Sequence, residues 1–166
     1  MLKLIDGFVN IRKLEIKDNK AIAVIIREAL KDFGADLPGT VYYDTATDDL
    51  HSIFEATNSN YFVAIVDGNI VGGGGYFPTE GLNSDTCELV KMYINASFRG
   101  KGIGKMLLDQ AIEHAIKDGF KYMYLETLPQ LSLAVNMYKK YGFENLNGPL
   151  GNSGHFGCNM WMGREL

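Results

Sequence analysis

A mixed α/β domain is predicted for this chain by three observations. Apolar residues recur at helical spacing in several stretches, short β-rich runs lie between them, and glycine-centred turn signals separate the two kinds of segment. Taken in order they read β-α-α-β-β-β-α-β-α-β, the pattern of a mixed sheet with helices packed on it. At 166 residues the chain falls within the span of about 100–200 residues that commonly closes around one core. One domain over residues 1–166, with one site, is the expectation.

The stretch 8–14, "FVNIRKL", reads as the first strand. Asp18 then caps a helix over 19–33, where Ile22, Ile25, Ile26, Ala29 and Leu30 mark one face, and Gly34 stops it. Residues 34–47, "GADLPGTVYYDTAT", are turn-rich and read as a surface loop, a kind of segment that often carries substrate contacts. Thr47 or Asp48 caps a short second helix over 49–56.

In "YFVAIVDGNIVGGGGYF", Asp67-Gly68 joins two strands in a hairpin. Four glycines, Gly72 to Gly75, inside the second of these strands weaken it with no packing return, so they predict a bulge or a close approach by other atoms. "TCELVKMYI" (86–94) is the next strand. A helix over 102–118 follows, closed by Gly119; "YMYLET" is a buried strand, "LSLAVNMYKKYG" the last helix and "FGCNMWM" (156–162) the last strand.

Composition removes several function classes. With 46% hydrophobic and 22% charged residues the chain is neither disordered nor membrane-like in make-up, and it has no run of about 18 apolar residues. "MLKLIDGFVN" lacks the layout of a secretory signal, so a cytoplasmic location is expected and no membrane partner. Net charge is −4, without basic tracts, which argues against nucleic acid as a partner. The two cysteines, Cys87 and Cys158, form no ligand set for zinc, and His155 with Cys158 makes only two ligands, so no metal is expected.

Against that acidic background "RGKGIGK" (99–105) concentrates three cations and three glycines between a strand and a helix. A helix N-terminus presents unpaired backbone N–H groups and partial positive charge, which suits a phosphate. Gly100, Gly102 and Gly104 let the backbone bend and let a ligand approach; Arg99, Lys101 and Lys105 add charge. The spacing fits neither a dinucleotide fingerprint nor a P-loop.

The string Arg99-Gly100-Lys101-Gly102-Ile103-Gly104 resembles the R-x-x-G-x-G loop of the GNAT superfamily of acyl-CoA-dependent N-acetyltransferases. The resemblance extends through "CELVKMYINASFRGKGIGKMLLDQAIEHAIKDGFKYMYLET" and "AVNMYKKYGFE", the latter an A-x-x-x-Y-x-x-x-G-F element, and covers roughly residues 8–146. It implies a central, mostly antiparallel mixed sheet of six to seven strands flanked by four helices and splayed at an acetyl-CoA cleft. It implies that Arg99 to Lys105 hold the pyrophosphate of coenzyme A, and that backbone N–H groups of Met92, Tyr93 and Ile94 hold the pantetheine arm and thioester carbonyl.

By the same resemblance Tyr138 is the proton donor to the departing thiolate, and Glu88 matches a glutamate that serves some members as general base, often through water. Strand alternation puts Glu88 and Val90 on one face and Cys87 and Leu89 on the other; a strand-end charge remains the other reading of Glu88. Tyr42 and Tyr43 in the 34–47 loop, and His155 beside the last strand, are candidate contacts for a small-molecule or peptide amine. His51, His114 and Glu126 read as structural or solvated, with Glu126 ending a strand at the cleft. The implied activity is direct acetyl transfer from acetyl-CoA to a primary amine, with a non-catalytic CoA-binding sensor of the same fold as the alternative. The resemblance also allows a homodimer.

Overall fold

The computed structural model describes residues 2–4 and 7–166. Its strands are β1 (Leu2–Leu4), β2 (Gly7–Lys13), β3 (Asn60–Val66), β4 (Asn69–Phe77), β5 (Thr86–Ile94), β6 (Tyr122–Thr127), β7 (Glu144–Leu146) and β8 (Met160–Glu165), and its helices α1 (Asn19–Asp32), α2 (Leu50–Ile53), α3 (Ile103–Lys117) and α4 (Ser132–Lys140). The strands form one sheet in the order β1-β2-β3-β4-β5-β6-β8-β7. Every pairing is antiparallel except β5 with β6.

Six strands carry six or more residues, and the two three-residue strands β1 and β7 bring the sheet to eight. A three-residue strand is too short to leave a periodic signal, which is why neither is foreseen. The expected last strand over 156–162 begins only at Met160. The residues before it are tied elsewhere: Gly157 N–H donates to the Gly39 carbonyl at 2.9 Å and Cys158 N–H to the His155 carbonyl at 3.1 Å.

Helices cover both faces. On one, Ile103, Leu107, Leu108, Ala111 and Ala115 of α3, with Val135 and Tyr138 of α4, pack on Phe62, Ala64, Leu89, Met123 and Leu125. On the other, Ile22, Ile25, Ile26 and Leu30 of α1 pack with Leu50 on Tyr61 and Val63. The residues that recur at helical spacing are thus the ones that leave water, at roughly 1.5–3 kcal/mol for each fully buried side chain.

Two caps differ from expectation. Asp18 does not cap α1 with its side chain; its carboxylate accepts from Glu15 N–H at 2.8 Å and from Arg12 at 2.6 Å. The second helix is one turn long, preceded by a 3₁₀ segment whose cap is Asp44, accepting from Ala46 N–H at 3.0 Å, in place of Thr47 or Asp48.

The glycine run is the seam on which the site depends. Opposite it β5 carries one extra residue: Gly73 pairs with Tyr93 and Gly75 with Val90, so Gly74 alone faces Lys91 and Met92. Lys91 takes the left-handed conformation at φ +52°, at a cost of about 1–2 kcal/mol for a residue with a Cβ. The extra residue also shifts the alternation by one. Cys87 and Leu89 face the α3 side, and so do Met92 and Ile94, while Tyr93 turns to the α1 side.

The glycines make room for this bulge. A Cβ on Gly74 would lie 2.5 Å from Met92 Cε, and one on Gly73 2.6 Å from the Tyr61 ring, whose hydroxyl donates to the Lys91 carbonyl at 2.7 Å. Gly73→Val is therefore expected to push Tyr61 off that carbonyl and to lower stability by about 1–3 kcal/mol, the usual cost of overpacking; a chemical denaturation curve reads it.

Candidate active site

The sheet opens where the bulge sits. β5 and β6 are in parallel register only from Thr86 with Tyr122 to Leu89 with Leu125, and beyond that point they part. Asn95 N–H donates to the Val71 carbonyl on β4 at 2.8 Å. Alternation therefore turns the N–H and C=O of Tyr93 toward β4 and those of Met92 and Ile94 toward the open side. Of the three expected donors, Tyr93 is thus engaged with β4, and Met92 and Ile94 face the gap.

A cleft of about 640 Å³ fills the gap, lined by Met92, Tyr93 and Ile94 of β5, Leu125 to Thr127 of β6, α4 from Leu133 to Tyr138, and the turn before α3. That turn holds Gly100 at φ +73° and Gly102 at φ +85°, with Gly102 as the first cap of α3. The first helical N–H bond runs from Met106 to the Gly102 carbonyl, so the amides before Met106 are left over, and no acidic side chain sits in that turn. Unspent N–H groups at the start of a fifteen-residue helix, with Lys105 on the cleft wall, form a concave seat for phosphate.

The other members of the motif divide. Gly104 lies inside α3, where a Cβ would sit 3.3 Å from Ile94 Cδ1 and Met137 Sδ, so it keeps the helix close to β5. Ile103 is buried and anchors α3 in the core. Lys101 lies over the Phe98 ring at 5.4 Å. Arg99 is directed to the protein itself: its Nε donates to the Ile94 carbonyl at 2.9 Å, Nη2 pairs with Asp32 at 3.0 Å, and the guanidinium lies 4.6 Å over Phe33. It fastens the turn to β5 and to the end of α1.

Tyr138 lines the cleft, buried to 5% exposure, with its ring 5.7 Å from that of Phe143. Its hydroxyl has no hydrogen-bond partner among the described residues. Burial pushes its pKa well up, so the O–H is intact at any working pH.

A second, smaller chamber adjoins the cleft and shares Leu89, Lys91, Tyr93, Glu126, Thr127 and Leu131 with it; its volume is about 40 Å³. Glu88 enters this chamber from β5 at 3% exposure and accepts from Thr79 Oγ1 at 2.7 Å. Burial, with a smaller contribution from Glu126, raises its pKa to about 7. His155 lines the chamber too, with Nε2 3.2 Å from Asp44 Oδ2. Cys158 lies beside it, its thiol pushed by burial up to about 12, which leaves it an inert apolar wall.

Tyr42 and Tyr43 line neither space. Residues 41–43 form a 3₁₀ turn that sends Val41 inward, packs Tyr42 partly against the α1 core and leaves Tyr43 61% exposed; Thr40 and Val41 reach the chamber in their place. Lys91 and Asp44 have no role assigned from sequence, and Glu126 reads there as structural or solvated. Glu126 borders both spaces and accepts from Tyr124 Oη at 2.7 Å and from Ser153 Oγ. Lys91 borders both as well, and its ammonium donates to Asp44 at 3.0 Å. The signal for Lys91 is present: a lysine in the middle of the apolar run "ELVKMYI".

Among the described residues no group of three or more His, Cys, Asp or Glu is placed to hold a metal, and no helix is long and apolar enough to cross a membrane.

Comparison with known proteins agrees with this geometry. Residues 24–143 match the model of the Acetyltransferase (GNAT) family. The uncharacterized N-acetyltransferase YjgM of Escherichia coli (strain K12) is 42% identical over 157 residues, covering 93% of each chain. Two solved structures share the fold. One, a GNAT-family acetyltransferase from Staphylococcus aureus, superposes with a TM-score of 0.84 at 21% identity, covering 95% of this chain and 99% of the other. The PaiA N-acetyltransferase from Thermoplasma acidophilum, solved in complex with coenzyme A, gives 0.75 at 21% identity, covering 96% and 99%. With a family match over most of its length and a relative 42% identical across 93% of it, the chain belongs to the GNAT family of acetyltransferases.

Proposed function

We propose that the chain moves an acetyl group from acetyl-CoA directly to a primary amine held in the smaller chamber. The observation that carries the reading is the opening between β5 and β6, which joins a phosphate seat at α3 to a chamber lined by Glu88. In this reading the amides before Met106, with Lys105, take the pyrophosphate, and the outward N–H groups of Met92 and Ile94 lie along the pantetheine arm and polarise the carbonyl under attack. Glu88 receives the proton of the attacking amine, directly or through water. A carboxylate with a pKa near 7 suits that task, because it is ionised at working pH yet basic enough to share a proton. Tyr138 meets the thiolate as it leaves and supplies its proton.

The cleft geometry leads to an expected result at the loop. Gly102→Val sets a β-branched residue at φ +85°, and about 1–2 kcal/mol of left-handed strain corresponds to roughly tenfold at 1.4 kcal/mol per decade. The free loop relaxes out of the seat to shed that strain and CoA must restore it, so CoA binding by calorimetry is expected to weaken by up to about that factor, with the circular-dichroism spectrum retained.

The reading as a whole is tested by release of free thiol from acetyl-CoA across a panel of primary amines, with the acetylated amine identified by mass. Thiol release that depends on the amine supports it. Tight CoA binding with no release for any amine contradicts it and favours a sensor.

A further inference from the structure

Lys91 is held at a cost. It sits at φ +52° where the sheet opens, its side chain is 7% exposed, and its ammonium has Asp44 as its one hydrogen-bond partner among the described residues. Strained residues and buried charges of this kind persist where function needs them, since a buried pair is seldom more stable than an apolar substitute of equal volume. An ammonium carries three N–H groups, so two remain for a further acceptor.

The surroundings narrow what that acceptor is. Asp44 is fully engaged: His155 Nε2 at 3.2 Å and Lys91 Nζ at 3.0 Å share one oxygen, and Ala46 N–H takes the other at 3.0 Å. His155 and Lys91 together hold its pKa well below the usual carboxylate range, so Asp44 stays charged and holds the Lys91 head at 3.0 Å. Carboxylates line the same chamber: Glu126, like Lys91, where it meets the cleft, and Glu88 inside it. Glu126 already accepts from two hydroxyls, those of Tyr124 and Ser153, and these fix its carboxylate on the wall. The chamber therefore brings a donor, Lys91, and two carboxylates, Glu126 and Glu88, around one space.

A molecule matched to both kinds of group carries an amine and an anionic oxygen a few bonds apart. We propose that the acceptor is a small amino acid, its carboxylate taken by the Lys91 ammonium and its amine set at Glu126 and Glu88 beside the cleft. Lys91 acts as the specificity-determining residue, and Asp44 with His155 positions it. The small volume of the chamber, about 40 Å³, admits a compact head group and leaves the side chain of the acceptor toward the wider cleft. This rests on the acetyl-transfer reading above.

The test compares each of several α-amino acids with its decarboxylated amine and its carboxamide, measuring thiol release and acetylated product with the wild-type protein. A hydrogen bond to a charged group that one partner lacks is worth roughly tenfold to a hundredfold. Amino acids are expected to exceed their decarboxylated counterparts in kcat/KM by about that ratio, with the carboxamides between. In Lys91→Met the ratio falls toward one, and in Lys91→Arg it is partly restored, with CoA affinity reporting that both variants are folded. Decarboxylated amines acetylated as well as, or better than, the amino acids overturn the proposal and leave the acetyl-transfer reading standing. Release with no amine of either series counts against that reading itself. A Lys91→Met variant that folds and keeps the full preference also overturns the assignment to Lys91.

Discussion

Tyr138→Phe is expected to slow acetyl transfer by about 10²–10⁴-fold, the usual loss when general-acid help is removed. That is roughly 3–5 kcal/mol of barrier at 1.36 kcal/mol per tenfold. The substitution takes away one oxygen from a side chain packed against Phe143 and lining the cleft, and that oxygen bonds to nothing else among the described residues. Folding therefore loses no hydrogen bond, and the effect falls on catalysis. Burial keeps the phenol protonated and makes it a reluctant acid, so its help begins as a hydrogen bond to the developing thiolate and strengthens as charge builds on sulfur. Acetyl-CoA affinity is expected to change far less, because the interaction is made mainly in the transition state. Turnover within threefold of wild type, with chemistry shown to limit the rate, would mean that Tyr138 only packs.

The second large effect concerns Glu88. With its pKa raised to about 7 by burial, the carboxyl holds its proton in acid and releases it as pH rises through neutrality. Activity supported by Glu88 is therefore expected to climb with a midpoint near pH 7. Glu88→Gln is expected to lower turnover most at neutral pH and to recover in part at high pH, where more of the amine is already free. Stability gives an independent reading of the same group. A carboxyl whose folded pKa lies above its unfolded value favours the fold most at low pH, and that contribution is lost as pH rises from the ordinary glutamate range through about 7. Denaturation midpoints of wild type relative to Glu88→Gln should fall across that window. A loss of activity that is flat with pH would mark Glu88 as structural, and the same profile on Glu126→Gln would then identify which carboxylate takes the proton.

Much of the fold is legible because its signals are local. Helical spacing of isoleucine and leucine marks α1 and α3, Asp67-Gly68 marks the β3-β4 turn, and Gly72 to Gly75 announce the bulge that Met92 and Tyr61 then explain. The glycine turn before α3 is legible for the same reason, since strand, turn and helix follow one another in the chain. The acceptor side is not. Asp44, Lys91, Glu126 and His155 come from four separate segments, and only the folded sheet brings them around one chamber. Tyr42 and Tyr43 mislead because residues 41–43 wind into a turn that sends Val41 inward, a choice set by packing on α1 and by no local signal. Arg99 shows another limit. Its charge suggests a phosphate ligand, and it does line the cleft, yet its pairing with Asp32, 67 residues earlier in the chain, has no local signal.

In the proposed reaction the gap between β5 and β6 is the acetyl-CoA site. Amide hydrogen exchange measured residue by residue, with and without saturating CoA, tests it most directly. New protection is expected at Met92 and Ile94 and across Gly100 to Lys105, with little change at Tyr93, whose amide is already turned toward β4. Unchanged exchange at these amides with CoA bound, or protection gathered on another face of the sheet, would contradict it.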